Sequence, residues 1–427
     1  MREPVRYTRS LCPVCLKNLP AELVRDDDGK IYIKRCCPEH GEFEALIWKG
    51  LFDFDSWTRG ASQLDDGCAV HCPDNCGICS EHGIGTCCAL LEVTNRCNLH
   101  CRFCFAKGGE NSEDPSIEEL KESIDIISEK CGGPLIQFSG GEPTVRDDLP
   151  ELIRYAKTVG CSYTQVNTNG IRIAEDPDFA GQLAASGLDI VFLKFDGVND
   201  DIYTNLRGRK LLETKLRAID VCGQLRLGVT LVPTVVPGVN DGDLGNIIRF
   251  ATENLSVKGI HFQPVSYFGR HSGIPDNIER YTLDALMKDI SMQADIPISS
   301  FMPSRCDHPL CGFHASFIKT ASNKLRAVSS FNASSPVPGN EKMNREYVAK
   351  HWIQSPKEPE PEGGLSDDMD FDSFLYCMKH RNLTLSAMAF QDATNINIER
   401  LHRCSLHVYD NGKIKPFCAK YISPITT

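Results

Sequence analysis

No stretch of the 427-residue chain reaches the roughly 18 consecutive apolar residues that a membrane-crossing helix needs. The N-terminus, MREPVRYTRS, lacks the apolar segment of a secretory signal. Basic residues are in deficit: 46 Lys and Arg stand against 57 Asp and Glu, a net charge of -11. That balance argues against a general nucleic-acid binder, which carries basic stripes. No internal repeat is visible, so solenoids and propellers are excluded. These absences leave a globular protein, expected to be cytoplasmic, long enough for one large domain with smaller modules.

Cysteine is in excess, with 21 residues. A long chain without a secretion signal that groups cysteines two or three residues apart points to metal or iron–sulfur ligation rather than disulfides. So many thiolates also imply oxygen sensitivity and an anaerobic host.

The chain divides into a small cysteine-bearing module (1–60), a cysteine-dense connector (61–88), a strand–helix region (89–300) and a cysteine-containing tail (301–427). Between 89 and 270, β-rich runs at 89–94, 135–139, 163–168, 189–195, 228–236 and 259–266 alternate with helical patterns. One of these opens with a capping box, Ser116 to Glu119, followed by Leu120, Ile124 and Ile127 on one face. The fold class expected is α/β, with six β/α units around a parallel sheet and functional residues at the strands' C-terminal ends. Residues 334–372, rich in Pro, Glu, Gly and Asp, read as a mobile excursion.

The stretch CNLHCRFCF directly follows the first β-run and spaces Cys97, Cys101 and Cys104 as C-x3-C-x2-C. Iron–sulfur cubanes normally take four cysteine ligands. Three leave one iron open for a small chelating ligand. The second β-run ends in Ser139-Gly140-Gly141-Glu142-Pro143, the third in Asn167-Thr168-Asn169-Gly170 and the fourth in Lys194-Phe195-Asp196-Gly197. A zinc knuckle short of one ligand is the competing reading; spacing, strand context and the GGEP segment disfavour it.

This combination, with Phe103 before the last cysteine, resembles the radical S-adenosylmethionine superfamily over about residues 89–270. The resemblance implies a partial (β/α)6 TIM barrel and a 4Fe–4S cluster on Cys97, Cys101 and Cys104. It implies S-adenosylmethionine on the open iron, cleaved by one electron to a 5′-deoxyadenosyl radical that abstracts hydrogen from an unactivated carbon. By the same resemblance Gly140, Gly141 and Glu142 hold the methionyl end, Asn169 and Asp196 lie at the ribose or substrate edge, and Phe103, Val232 and Gln263 are further cofactor contacts. A low-potential electron donor of ferredoxin or flavodoxin type is the implied partner.

Other cysteines form separate sets. Cys12-Pro-Val-Cys15 and Cys37-Pro-Glu-His40 look like a zinc ribbon or a rubredoxin-type iron site, a mononuclear centre on Cys12, Cys15, Cys37 and His40 with Cys36 as the alternative ligand. In the connector, Cys72, Cys76, Cys79 and Cys87 suit an auxiliary 4Fe–4S cluster. In the tail, Cys306, Cys311, Cys404 and Cys418 suit a second one, with buried thiols as the alternative. Cys131, Cys161 and Cys222 read as core residues and Cys377 has no assignment. His261, inside a strand, reads as packed rather than functional. The apolar patch from Leu46 to Phe54, with Trp57, reads as packing the first module onto its neighbour rather than facing lipid.

The whole-chain order of CPVC, CPEHG, CPDNCGIC, the radical motif, FQPVSYFGR and GKIKPFCA resembles the archaeal tetraether lipid synthase and class D radical methyltransferase group. The preferred expectation is coupling of isoprenoid lipid chains, carbon to carbon. The alternative is cobalamin-independent methylation of a pterin-type heterocycle, with the carbon from a methylene carrier. Residues 1–60 are too few for a cobalamin domain. A peptide-modifying maturase and an iron–sulfur electron carrier stand further back: no peptide-binding module is apparent, and a carrier has no need of a GGEP segment.

Overall fold

The computed structural model describes residues 3–59, 72–73, 77–79, 82–109, 113–274, 276–277, 279–328, 330–331, 339–361 and 370–425. The first module is an antiparallel sheet of β1 (Glu3–Leu11), β2 (Asn18–Arg25), β3 (Ile31–Cys37) and β4 (Gly41–Trp48), in that order. The central region supplies β5 (Cys88–Thr94), β6 (Leu135–Gly140), β7 (Tyr163–Thr168), β8 (Ile190–Lys194), β9 (Gly228–Val232), a short β10 (Thr234–Val235) and β11 (Val257–Pro264). These are the β-rich runs expected, and β5 to β9 and β11 pair in parallel. Helices separate them, among them Ile117–Cys131, which carries the capping box at Ser116 and buries Leu120, Ile124 and Ile127.

The tail departs from expectation. It contributes β12 (Met302–Pro303), β13 (Gly312–Lys319), β14 (Leu325–Ala327), β15 (Asn382–Met388), β16 (Leu406–Asp410) and β17 (Lys413–Pro416). β15 adds in parallel to β11 at one edge, and β16 adds in parallel to β5 at the other. The sheet runs β12-β13-β15-β11-β9-β8-β7-β6-β5-β16-β17, so the tail covers both edges of the central parallel run. Unpaired edge strands are a liability, and here the same chain removes both.

The excursion expected at 334–372 also reads differently where it is described. Glu341–Trp352 is a helix, capped by the Asn340 side chain, which accepts from the Met343 N–H at 2.9 Å. Its last residue, Trp352, joins an apolar cluster with Leu135 and Ile190, the first residues of β6 and β8, and with Phe192 and Val232. Room for it comes from missing side chains: a Cβ on Gly228 would lie 2.0 Å from the Trp352 carbonyl, and one on Gly259 would lie 2.9 Å from Trp352 Nε1. The helix therefore floors the barrel.

Strand alternation sorts the side chains. Ile136, Phe138, Val166, Val191, Leu193, Leu231 and Ile260 face outward and join the main hydrophobic core with the helices. Their neighbours in sequence face inward. The apolar patch after β4 packs as expected: Trp48, Phe54 and Trp57 are buried, and Trp57 Nε1 donates to the Pro309 carbonyl at 3.0 Å.

Candidate active site and metal centre

Cys97, Cys101 and Cys104 lie on the loop after β5, half-buried, and line a cavity of about 280 Å³ inside the barrel. Backbone contacts clamp the loop. The Cys97 N–H donates to the Gly109 carbonyl at 3.1 Å, and Cys104 and Arg270 exchange two N–H···O bonds of 3.0 and 2.9 Å. Gly269, at φ +69°, sits where a Cβ would meet the Cys104 carbonyl at 2.3 Å. The FGR segment after β11 thus holds the cysteine loop from the far side.

Gly140 and Gly141 hold it from the near side. A Cβ on Gly140 would lie 2.2 Å from the Thr94 carbonyl, and one on Gly141 would lie 2.1 Å from the Arg96 carbonyl. Such contact admits only glycine. The N–H groups of Gly141 and Glu142 donate to those same carbonyls, at 2.7 and 2.8 Å. Glu142 lines the cavity but is almost wholly buried, and its carboxylate accepts from Thr144 N (3.2 Å), Thr144 Oγ1 (2.6 Å), Thr168 Oγ1 (2.6 Å) and Asn169 N (2.7 Å). It pins the loop after β7 to the loop after β6. Asn169 lines the cavity, donating through Nδ2 to Asn98 Oδ1 at 2.7 Å, and its carbonyl accepts from Lys215 Nζ.

The other expected cofactor contacts separate. Phe103 and Gln263 line the cavity. Val232 is fully buried in the apolar cluster around Trp352 and is not part of the lining. Asp196 does not reach the lining either. Its carboxylate is taken up by Arg207, Nε to Oδ2 at 2.7 Å and Nη2 to Oδ1 at 2.6 Å. Burial alone would raise the Asp196 pKa; the guanidinium outweighs it and holds the acid ionised. The group that faces the cavity is Arg207, within hydrogen-bonding reach of Cys101. Lys194 lines it too, donating to Gln263 Oε1 at 3.0 Å, and burial, reinforced by Arg207, brings its pKa down to about 8.

The inward face of the sheet holds residues that the sequence reading passed over. Gln137, Gln165 and Asn167 line the cavity where a filled barrel would carry Val, Ile or Leu. His261, expected to be packed, also lines it, donating or accepting through Nδ1 at 2.9 Å with Ser386 Oγ; burial first, and Lys194 second, push its pKa down to about 3. Polar residues at alternate positions of strands buried on both faces were the available signal: Gln137 with Ser139, and Gln165 with Asn167.

The first module carries a separate centre. Turns after β1 and β3 bring Cys12, Cys15, Cys37 and His40 together, their ligand atoms within 4.8 Å of one another. His40 Nδ1 lies 3.4 Å from Cys37 Sγ and 3.6 Å from Cys12 Sγ. Three thiols and an imidazole suit one tetrahedral ion. Cys36 is exposed on β3 and is not in the group. The module docks through Arg35, which donates to the carbonyls of Ala393 (3.3 Å) and Thr394 (2.6 Å).

Cys76 lies outside the described residues, and Cys79 is exposed. Cys72 Sγ stands 3.2 Å from His402 Nε2. Cys87 accepts from Asn344 Nδ2 at 3.1 Å, and Cys306, expected with the tail set, donates to the Asn340 carbonyl at 3.1 Å. In the tail, Cys311 accepts from Arg400 Nε at 3.4 Å, Cys404 donates to the Leu406 carbonyl at 3.0 Å and Cys418 accepts from the Gln391 N–H at 3.2 Å. Cys131, Cys161, Cys222 and Cys377 are buried, and burial pushes the Cys161 and Cys222 thiols up to about 12. Among the described residues no helix is long and apolar enough to cross a membrane.

Comparison with known proteins agrees with this geometry. Residues 91–251 match the radical SAM superfamily, and residues 4–49 match the HMPTM N-terminal zinc ribbon domain. A 7,8-dihydro-6-hydroxymethylpterin dimethyltransferase of Methanocaldococcus jannaschii is 33% identical, over 97% of this chain and 92% of its own. A probable GTP 3′,8-cyclase of Methanothermobacter thermautotrophicus is 26% identical over 57% of this chain and 79% of its own. The crystal structure of Streptococcus suis SuiB is similar at a TM-score of 0.42 and 16% identity, over 50% of this chain and 48% of that one. The chain is a radical S-adenosylmethionine enzyme, and within that superfamily it belongs to the family of the Methanocaldococcus dimethyltransferase. The superfamily implies a 4Fe–4S cluster and S-adenosylmethionine, and the residues present fit: three free thiols face one cavity beside two cations, half-buried Lys194 and buried Arg207. That relative is named for pterin methylation, the alternative drawn from sequence, and not for the lipid coupling preferred there.

Proposed function

We propose that the protein is a cobalamin-independent radical methyltransferase acting on carbon of a pterin-type heterocycle, with a methylene carrier as carbon source. The observation that carries this is the polar inner wall: the side-chain oxygens of Gln165 and Asn167 are buried at the cavity with no partner in the protein. Buried polar atoms are normally paired, and a heterocycle supplies partners that an alkyl chain lacks. The family relationship supports the same substrate class.

In this reading Cys97, Cys101 and Cys104 hold the cluster. Bound there with S-adenosylmethionine, it supplies the radical that abstracts hydrogen. Glycines 140 and 141 let the two loops meet, and Glu142 fixes the loop bearing Asn169 rather than acting as a free acid. Arg207, set by Asp196, and Lys194 offset the negative charge of the cluster and its ligand. The Trp352 helix closes the far end and excludes water. Cys311, Cys404 and Cys418 are the auxiliary-cluster ligands in this reading, and the ribbon ion is structural zinc. Electrons come from a ferredoxin- or flavodoxin-type donor.

Isoprenoid chain coupling stays as a second reading on one observation. The cavity runs from Cys97 to Cys87 and Leu135, at the opposite ends of the strands, which is the depth an extended chain would use. Anaerobic incubation with a strong reductant and S-adenosylmethionine separates the two. Stimulation of 5′-deoxyadenosine release by 7,8-dihydro-6-hydroxymethylpterin supports methylation. Stimulation only by an archaeal-type lipid extract overturns it in favour of coupling.

A further inference from the structure

The inner faces of β6 and β7 meet in register, Gln137 opposite Gln165. Gln165 Nε2 donates to Gln137 Oε1 at 2.7 Å, and Asn167 Nδ2 donates to Ser139 Oγ at 3.3 Å. Each β7 amide therefore commits one N–H to β6. What each turns elsewhere is its carbonyl oxygen, and Gln165 Oε1 and Asn167 Oδ1 are both buried and unpaired. Gln165 is 2% exposed. Two residues apart on one strand, the two acceptors share a face.

Beside them stands an aromatic surface. Phe192, opposite Asn167 on β8, lies 5.3 Å from His261 and 5.8 Å from Trp352 between ring centroids, and all three line the cavity. A flat ring can lie against such a surface while its edge meets the amide oxygens. Two unpaired acceptors select an edge that carries N–H groups. His261 stays neutral at physiological pH and adds no charge.

Depth sets the orientation. Cys97, Cys101 and Cys104 sit beyond the C-terminal ends of the strands, Asn167 lies near that end of β7, and Gln165 lies two residues deeper. The reacting end of the ring must face the cysteines, so its donor-bearing end points down to Gln165. We propose that Gln165 and Asn167 are the specificity residues of this site: their carbonyls accept from the amino–lactam edge of a planar heterocycle, with Gln165 taking the exocyclic amino group. This rests on the heterocycle reading above.

The test is equilibrium binding to the cluster-loaded enzyme, read by pterin fluorescence. The ligands are 7,8-dihydro-6-hydroxymethylpterin and its analogue with hydrogen in place of the 2-amino group. The wild type should prefer the amino compound by at least about tenfold. In Gln165→Leu that preference should vanish, because protein and ligand changes remove the same hydrogen bond and so are not additive. A wild type that binds both compounds equally overturns the inference, whatever the variant's folding. A Gln165→Leu protein that keeps the full preference overturns it as well, and leaves the heterocycle reading standing. A wild type that binds neither compound overturns that reading, and the inference with it.

Discussion

Arg207 grips Asp196 through two hydrogen bonds, of 2.7 and 2.6 Å, with both side chains buried. The Thr234 N–H adds a third to the carboxylate at 3.1 Å, and the acid is fully buried and off the cavity lining. Its effect on chemistry passes through the guanidinium, which faces the cavity. Removing one partner of a buried pair leaves an uncompensated charge, at about 3–5 kcal/mol. Asp196→Asn is therefore expected to lower the unfolding midpoint by several degrees and to weaken S-adenosylmethionine binding. Differential scanning fluorimetry with a binding titration checks both. Unchanged stability with lost binding would mean that Asp196 touches the cofactor itself.

Gly141→Ala is a sharper probe of the cysteine loop. The added methyl would stand 2.1 Å from the Arg96 carbonyl, next to Cys97, so the backbone there must move. The variant should fold, because the change lies in loops, but should bind less iron at the radical site and cleave S-adenosylmethionine at under about a tenth of the wild-type rate, since misplacement of about 1 Å costs as much as a hundredfold. Iron content and 5′-deoxyadenosine yield are the readouts.

The buried histidines set an acid limit. His261 and His314 are both pushed down to about 3 by burial, against 6.5 when free. Between those values the unfolded chain binds protons that the folded chain refuses, so stability is present above pH 6.5 and falls as pH drops toward 3. From pH 6.5 to 5 the loss approaches about 2 kcal/mol for each histidine. His261→Gln should shrink the fall in unfolding midpoint between pH 7 and 5. An identical fall in the variant would mean that His261 is charged in the folded state.

His40→Ala tests the ribbon. His40 is the one nitrogen ligand among three thiols, and without it a closed tetrahedral site is incomplete. Zinc by mass spectrometry should drop from about one ion per chain to well below that, with a lower unfolding midpoint. Retention of a full zinc complement would assign the fourth ligand elsewhere.

Sequence carried the frame of the molecule unevenly. The alternation of β-rich runs was enough for β5 to β9 and β11, and the three-cysteine spacing with GGEP was enough for the superfamily. The Trp352 helix was not legible. EKMNREYVAKHW has few apolar residues and lies among Pro and Glu runs; what holds it is tertiary, the space left by Gly228 and Gly259. The strands NLTLSAM and LHVYD do alternate, but nothing local says that they flank β11 and β5. Asp196 lies in the expected neighbourhood, with its carboxylate taken up by Arg207, eleven residues on, a pairing the sequence did not reveal. Val232, at the C-terminal end of β9 beside Lys194, packs into the apolar cluster of Phe192 and Trp352 instead of joining the cavity lining.

The central claim is methyl transfer to a heterocycle, and the mass of the product decides it. The reconstituted enzyme would be turned over anaerobically with a low-potential reductant, S-adenosylmethionine, a methylene-carrier pool and, in parallel, 7,8-dihydro-6-hydroxymethylpterin or an archaeal-type lipid extract. The account predicts a pterin product heavier by one or two methyl groups, with 5′-deoxyadenosine formed alongside it. Joined lipid chains together with an unmodified pterin would contradict it.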